Sequence, residues 1–422
     1  MSSSLNPVDS NDTSENRYEN EHVAVLSLHT SPFVQPGHGD SGGMNVYIRE
    51  LVSSLAHSGA MCSVYVRRWR KDLPDKVMIE PGVRLVHIDA GDPELEKEEL
   101  PEVVDDFSEG VERDLLLGPK ADVLHANYWL SGVSGHDLKH RLGLPLITTF
   151  HTLGKSKIYS GEFETSDRVK KEQEIIDCSD IVVANSTAEA NQLEEFYGAP
   201  KERIAVVPLG VEHALFAPGN QDAARSAIGI SKGPVVMYVG RLQPLKGAGL
   251  ALEMFSELQT ETGVLLIIGG ASGVHGDKEV RELKQRAKEL GIEKQVRFIP
   301  PQPHHILSTY YRASDLVVVP SKSESFGLVA LEAAACGTPV IAASVGGLQD
   351  LVIHGITGYL LDKRDPKLYA HYARQILENP LQGAEMAMSA AEKAKQYSWA
   401  KTSEQMLNLY TSVSSRALVD CQ

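Results

Sequence analysis

An α/β architecture built from two doubly wound parallel sheets is what this sequence predicts, and three observations carry the prediction. At 422 residues the chain exceeds what one hydrophobic core usually organises. Short apolar runs alternate with amphipathic stretches, and the rhythm occurs twice in succession. Glycine-rich or polar turns follow several of those runs, at the carboxyl ends where such sheets bind their ligands. Two sheets of this kind facing each other enclose a cleft with phosphate-binding turns on both walls.

Residues 1–21 are rich in Ser, Asn, Asp and Glu with almost nothing apolar, and are expected to form a disordered polar tail. The first domain is expected over 22–210. Its elements are His22–Leu28, the amphipathic Asn45–His57, Cys62–Val66, Arg84–Ile88, Val123–His125, Leu146–Thr149 and Ile181–Ala184. Val207-Pro208-Leu209-Gly210-Val211 ends a strand and opens a loop, which marks a hinge. The second domain, 211–396, restarts the rhythm at Val235–Val239 and continues through Leu265–Ile268, Gln295–Ile299, Leu316–Val319 and Val340–Ala342. From about Pro380 the chain reads as helices without another strand, and Tyr397-Ser398-Trp399-Ala400 introduces a last helix within 397–422.

Composition narrows the function. Apolar residues at 42% and charged residues at 23% describe an ordinary globular protein, and a net charge of −15 argues against a nucleic-acid binder. There is no apolar run long enough to span a bilayer and no signal-peptide core, so cytoplasmic residence is expected. The four cysteines, Cys62, Cys178, Cys336 and Cys421, lack C-x-x-C spacing and read as reduced thiols rather than a disulfide framework or a zinc site.

Three turns carry candidate chemistry. Ser323-Glu324-Ser325-Phe326-Gly327-Leu328-Val329-Ala330-Leu331-Glu332 joins a buried strand to a helix. It places Glu324 in the turn, Glu332 about two turns down the helix, and the N–H groups of Phe326, Gly327 and Leu328 at the helix start. On the first domain, Gln35 to Asn45 holds four glycines in seven positions (Gly37, Gly39, Gly42, Gly43) before an amphipathic helix, and Gly42-Gly43 lets the backbone approach a diphosphate. Arg241 and Lys246 follow the strand Val235–Val239, where two cations can neutralise the charge on a departing nucleoside diphosphate. A polyhydroxylated, phosphorylated ligand fits all three.

Written out, E-S-F-G-L-V-A-L-E-A-A-A-C-G-T-P-V-I-A resembles the donor-nucleotide motif of the retaining GT-B glycosyltransferases, the family that includes sucrose-phosphate synthase. Leu28-His29-Thr30-Ser31-Pro32, Gly39-Asp40-Ser41-Gly42-Gly43-Met44-Asn45-Val46-Tyr47, Lys97-Glu98-Glu99-Leu100-Pro101, Tyr128-Trp129-Leu130-Ser131-Gly132 and His151-Thr152-Leu153 narrow this. Together they are similar to the D-inositol-3-phosphate glycosyltransferase branch, which opens mycothiol biosynthesis by moving N-acetylglucosamine from UDP-N-acetylglucosamine to 1D-myo-inositol 3-phosphate.

The resemblance, over about residues 22–415, implies two facing Rossmann-like domains, an N-terminal one for acceptor and a C-terminal one for nucleotide sugar, with the last helix crossing back to the first. It implies that Arg241 and Lys246 hold the UDP diphosphate with Gly43 opposite, that Glu332 takes the ribose, that Glu324 takes hydroxyls of the transferred sugar, and that Phe326, Gly327 and Leu328 belong to the donor-binding turn. His151 is implied beside the reacting carbon. The acceptor pocket is implied at His29, Asp40, Ser41, Gly42, Met44, Asn45, Lys97, Tyr128, Thr152 and Arg168, with Lys97 and Arg168 on the acceptor's phosphate. Departures lie near the base and acceptor. Gln302 stands in Pro301-Gln302-Pro303 where the inositol-phosphate enzymes carry arginine, His125-Ala126-Asn127 replaces His-Ser-His, and the loop from His151 to Arg168 is a few residues shorter.

No Asp-x-Asp motif occupies a suitable turn, so no obligatory cofactor is expected; the UDP-sugar is a co-substrate, magnesium near the Tyr311–Ser314 backbone is left open without ligands, and homodimer formation is left open. Two rivals stand beside this reading. One is a sucrose-phosphate-synthase-like transferase using a UDP-hexose and a hexose phosphate. The other is a catalytically silent nucleotide-sugar sensor, against which intact Arg241, Lys246, Glu324 and Glu332 argue.

Overall fold

The computed structural model describes residues 21–35, 41–271 and 276–421. The tail expectation for 1–20 and the Asp40 assignment lie outside the described residues. The first sheet contains β1 (His22–Ser27), β2 (Met61–Arg67), β3 (Lys76–Glu80), β4 (Val83–Ile88), β5 (Val123–Asn127), β6 (Leu146–Thr149), β7 (Ile181–Ala184) and β8 (Ile204–Val206). Their order is β3-β4-β2-β1-β5-β6-β7-β8, with every neighbouring pair parallel except β3 against β4. The second sheet contains β9 (Val235–Val239), β10 (Val264–Ile268), β11 (Val296–Ile299), β12 (Leu316–Val319), β13 (Val340–Ala343) and β14 (Gly358–Leu361), all parallel in the order β11-β10-β9-β12-β13-β14.

Central strands such as β1 and β12 are buried along their whole length because helices cover both faces, which is why they read as continuous apolar runs rather than alternating ones. Strand order reverses between β1 and β5 in the first sheet and between β9 and β12 in the second. At each reversal the crossover helices leave in opposite directions and open a crevice at the carboxyl ends. The turns that carry Gly42–Gly43, Tyr128, Arg241–Lys246 and Glu324 follow those four strands.

The closing helix, Trp399–Ser414, lies on the first domain against Gly43–His57. Its Ser403 hydroxyl pairs with that of Ser54 at 2.8 Å, Tyr410 OH meets His125 Nδ1 at 2.8 Å, and Thr402 Oγ1 donates to the Pro208 carbonyl at 2.8 Å. No described helix is long and apolar enough to cross a membrane.

The expectation of four scattered cysteines, neither paired nor clustered, is corrected for two of them. Cys178 and Cys421, 243 residues apart, stand sulfur to sulfur with Cα atoms 5.1 Å apart, whereas Cys62 and Cys336 are free and buried. Spacing along the chain is a poor guide here because the C-terminal segment folds back onto the first domain.

Candidate active site

The second domain supplies one wall of the cleft. Lys246 Nζ donates to Glu324 Oε2 at 2.7 Å, and Ser321 Oγ donates to the same oxygen at 3.1 Å. A strand of strong β formers ends at Val239, and Gly240-Arg241 turns outward, with Tyr238 OH donating to the Arg241 carbonyl at 3.2 Å. Gly327, at φ 102°, caps the Leu328–Ala335 helix in a left-handed conformation that favours glycine. Glu332 therefore lies little more than one turn into this helix, nearer the turn than the expected two. It is buried, accepts from Tyr311 OH at 2.7 Å and stands 3.9 Å from His304 Nε2. Burial pushes the Glu332 carboxyl up to about 7, against the lowering effect of the Tyr311 hydrogen bond.

The first domain supplies the facing wall. Gly42 caps the Gly43–His57 helix and faces the Arg241 side chain across the cleft, where a Cβ would make ordinary van der Waals contact with Nε at 3.5 Å. Asn45 holds this turn: its Oδ1 accepts from Gly42 N–H at 2.9 Å, and its amide donates to Thr30 Oγ1 at 2.9 Å and the Ser31 carbonyl at 2.7 Å. With 1% of its surface exposed, Asn45 acts on the loop itself, and Ser41 is likewise buried against Val34. Met44 packs beneath the turn.

His151 sits after β6 at φ 61°, a strained conformation for a non-glycine residue. Its Nε2 meets Asn127 Oδ1 at 2.9 Å, its ring packs edge-on to Tyr47 at 4.9 Å, and its carbonyl accepts from Ser325 Oγ across the cleft. Burial, assisted by His125, pushes His151 down to about 3, so its imidazole is neutral at ordinary pH. Ser186 Oγ donates to the Ser325 carbonyl at 2.8 Å, so the Glu324 turn is clasped by the first domain from two sides.

Deeper in the first domain, Lys97 Nζ and Arg168 Cζ lie 5.1 and 5.0 Å from the Tyr128 ring centre, and His29 stacks on that ring at 4.3 Å. Burial, then the cations Lys97, Arg168 and Arg241 together with His151, lowers the His29 pKa well below its usual range. Its Nδ1 is buried without a hydrogen-bond partner among the described residues. Arg168 is buried and already engaged, with Glu172 at 2.8 Å, Glu164 at 2.7 Å and the exposed Thr152, whose carbonyl accepts at 2.9 Å.

Gly42, Gly43, Arg241, Lys246, Glu324, Leu328 and Glu332 therefore line one cavity, with Gln302 and His304 at its edge. Phe326 instead turns its ring into the core against Tyr397, 6.1 Å away. Lys97, Tyr128, Thr152 and Arg168 form the adjoining cluster. A wider hollow behind the second domain, around Pro218, Arg312 and Arg374, holds none of the predicted groups. The Tyr311–Ser314 backbone suits magnesium poorly, because the Tyr311 carbonyl already accepts from Ser314 N–H at 3.0 Å and Thr338 Oγ1 at 2.8 Å.

Sequence reasoning missed the Tyr311 hydroxyl, Ser321 and His304, and also Gly346-Gly347, whose Gly347 N–H donates to the Glu324 carbonyl at 3.1 Å. The Gly-Gly pair after β13 was a readable turn signal. Its contact with the Glu324 turn was not.

Known proteins resemble this chain in sequence and fold. The family described as glycosyl transferases group 1 matches residues 220–397, and glycosyltransferase family 4 matches residues 41–215. A D-inositol 3-phosphate glycosyltransferase from Thermobispora bispora is 42% identical over 408 residues, covering 93% of this chain and 95% of its own. One from Acidothermus cellulolyticus is 42% identical over 402 residues, covering 92% and 89%. Among solved structures, sucrose-phosphate synthase from Thermosynechococcus elongatus superposes with a TM-score of 0.88 at 30% identity, covering 93% of this chain and 98% of its own. Anabaena HepE, in complex with UDP and glucose, shares the fold with a TM-score of 0.74 at 20% identity, covering 93% and 100%.

Proposed function

This chain belongs to the family 4, group 1 glycosyltransferases, among the relatives named D-inositol 3-phosphate glycosyltransferase, and from that premise we propose that it moves N-acetylglucosamine from UDP-N-acetylglucosamine to 1D-myo-inositol 3-phosphate with retention at the anomeric carbon. The observation that carries the reading is the meeting, across one cavity, of Arg241, Lys246 and Glu324 with the Gly42–Gly43 helix start.

The diphosphate lies between Arg241, Lys246 and the Gly43 end of its helix, where two cations and a helix N-terminus oppose its charge. Lys246 then exchanges its ligand-free partner Glu324 for phosphate, and Glu324 turns to hydroxyls of the sugar. Glu332 accepts from the ribose hydroxyls. The acceptor oxygen bonds to the anomeric carbon on the face that the diphosphate oxygen leaves, and the acceptor's proton passes to that departing oxygen. Arg241 and Lys246 stabilise the charge that grows there. His151, held neutral, lines the reacting carbon without donating a formal charge.

The acceptor's phosphate binds against Lys97 and Arg168 beside Tyr128, and unpartnered His29 Nδ1 accepts from an acceptor hydroxyl. Glu164 is the carboxylate that gives way, since its side chain is 13% exposed against 0% for Glu172. Glu172 stays to orient the guanidinium.

The likeness to sucrose-phosphate synthase favours a second reading, with a UDP-hexose donor and a hexose phosphate acceptor. A matrix of UDP-N-acetylglucosamine, UDP-glucose and GDP-mannose against inositol 3-phosphate, inositol and fructose 6-phosphate, read as nucleotide release and product mass, decides between them. Release only with UDP-N-acetylglucosamine and inositol 3-phosphate is expected. Fructose 6-phosphate as the acceptor supports the second reading, and binding without release in any combination overturns both.

A further inference from the structure

On the face of the first domain away from the cleft, the Trp129–Leu142 helix carries His136 and His140, four residues apart and so on one face. Cys178 is the last residue of the Ser166–Cys178 helix and is fully buried. Cys421 comes from the segment after the closing helix, which is seated by a 2.6 Å hydrogen bond from Val419 N–H to Asp180 Oδ1. One ligand atom from each of the four residues falls within a 4.8 Å cluster, the one group of this kind among the described residues. Nothing in the transfer reaction uses these groups.

We propose that His136, His140, Cys178 and Cys421 form a structural zinc site that fastens the C-terminal segment to the first domain. Zinc favours four nitrogen and thiolate ligands in a closed tetrahedron, and Cys₂His₂ is a standard set. With Zn–S of about 2.3 Å and Zn–N of about 2.05 Å, tetrahedral angles place sulfur and nitrogen about 3.6 Å apart. The cluster has Cys178 Sγ to His140 Nε2 at 3.4 Å, Cys421 Sγ to His140 Nε2 at 3.2 Å and Cys421 Sγ to His136 Nε2 at 3.9 Å.

Binding deprotonates both thiols and releases two protons. The two thiolates then balance the ion's charge beside neutral imidazoles, which suits a half-buried location. The sulfurs part to about 3.8 Å around the ion, a movement open to Cys421 because it lies outside any helix or strand. All four ligand positions come from protein, so the site is structural rather than catalytic.

The rival is an oxidised Cys178–Cys421 pair, and it makes different predictions. The full chain, produced without a histidine tag in zinc-sufficient medium and purified anaerobically without added reductant, should carry stoichiometric zinc by mass spectrometry. After denaturation with chelator, all four cysteines should titrate as thiols. Cobalt substitution should give thiolate charge-transfer and tetrahedral ligand-field bands. Cys421→Ser and His136→Ala/His140→Ala should lose the metal and melt earlier while keeping their circular dichroism. Cys421→Ser lies outside any helix or strand and is the variant least able to disturb folding. Metal-free protein with Cys178 and Cys421 unreactive means a disulfide; metal-free protein with four thiols means neither bond. Zinc that persists in these variants lies elsewhere. Each of these three results overturns the proposal.

Discussion

Replacing Lys246 with alanine tests the cationic wall of the cleft. Lys246 Nζ lies 2.7 Å from Glu324 Oε2, with side chains 22% and 19% exposed. The variant leaves Glu324 with the Ser321 hydroxyl at 3.1 Å and with access to water, so the folding cost is small. We expect about 1 kcal/mol for this partly screened pair. The loss in the reaction is larger, because charge on the departing diphosphate oxygen grows as its bond to the sugar breaks. Removing one preorganised partner of such an oxygen costs about 2.7–4 kcal/mol, or about 10²–10³ in kcat. Continuous UDP release at saturating donor and acceptor measures kcat, and thermal melting of the same preparation measures stability. A fall of about 10²-fold or more with a near-parental melt is expected. Turnover within about threefold of the parent in a folded variant would refute the placement of Lys246 on the leaving group.

Glu332 gives a pH signature. Burial holds its carboxyl near 7 without ligand, above its unfolded value, so the free protein keeps that contribution to stability at acid pH and loses it as pH rises through about 7. Ribose hydroxyls bind the ionised form, so UDP affinity measured by calorimetry should fall about tenfold per unit below pH 7 and level off above it. Glu332→Gln should flatten that profile; an unchanged slope in the variant would place the titrating group elsewhere. Arg168→Ala should raise the KM for inositol 3-phosphate by about ten- to more than a hundredfold, the equivalent of a charged contact of about 1.5–3 kcal/mol, with donor affinity little changed. Steady-state kinetics with unphosphorylated inositol supply the control: equal use of both acceptors by the parent would remove the phosphate grip. UDP at 100 times its Kd should add about 2.7 kcal/mol to stability and raise the melting temperature, whereas a shift with GDP alone would reassign the base.

The fold was legible wherever a strand is buried on both faces, since β1, β9, β10 and β12 are near-continuous apolar runs. Two strands, β3 and β14, escaped, and β8 was marked only by its end near Val207. β3 is a half-exposed antiparallel edge with lysine and glutamate at its ends, β8 has three residues none of which is fully buried, and β14 opens on Gly358. That Arg241, Lys246 and Glu324 line the cavity was legible because each lies in a turn directly after such a run, where charged side chains have a cleft to face. The clasp of Ser325 by His151 and Ser186 was not, because it joins turns from different domains through backbone carbonyls that any residue possesses. The carboxylate partners of Arg168 were partly legible: Glu164 and Glu172 flank it at four-residue spacing, a pattern that marks an already neutralised guanidinium. The His136–His140 pair was readable at the same spacing, but its cysteine partners come from separate elements, one of them 281 residues beyond His140.

The central claim is transfer at the meeting point of the two strand-order reversals, with the new bond formed on the face that the diphosphate leaves. The most direct measurement is the proton NMR spectrum of the product formed from UDP-N-acetylglucosamine and 1D-myo-inositol 3-phosphate. Because the donor is α-linked, the account predicts a product whose anomeric proton shows the small coupling of an α-glycoside, with UDP released in equal amount. A large coupling, marking a β-glycoside, would contradict the same-face mechanism, and UDP release without a glycosylated inositol phosphate would contradict the acceptor.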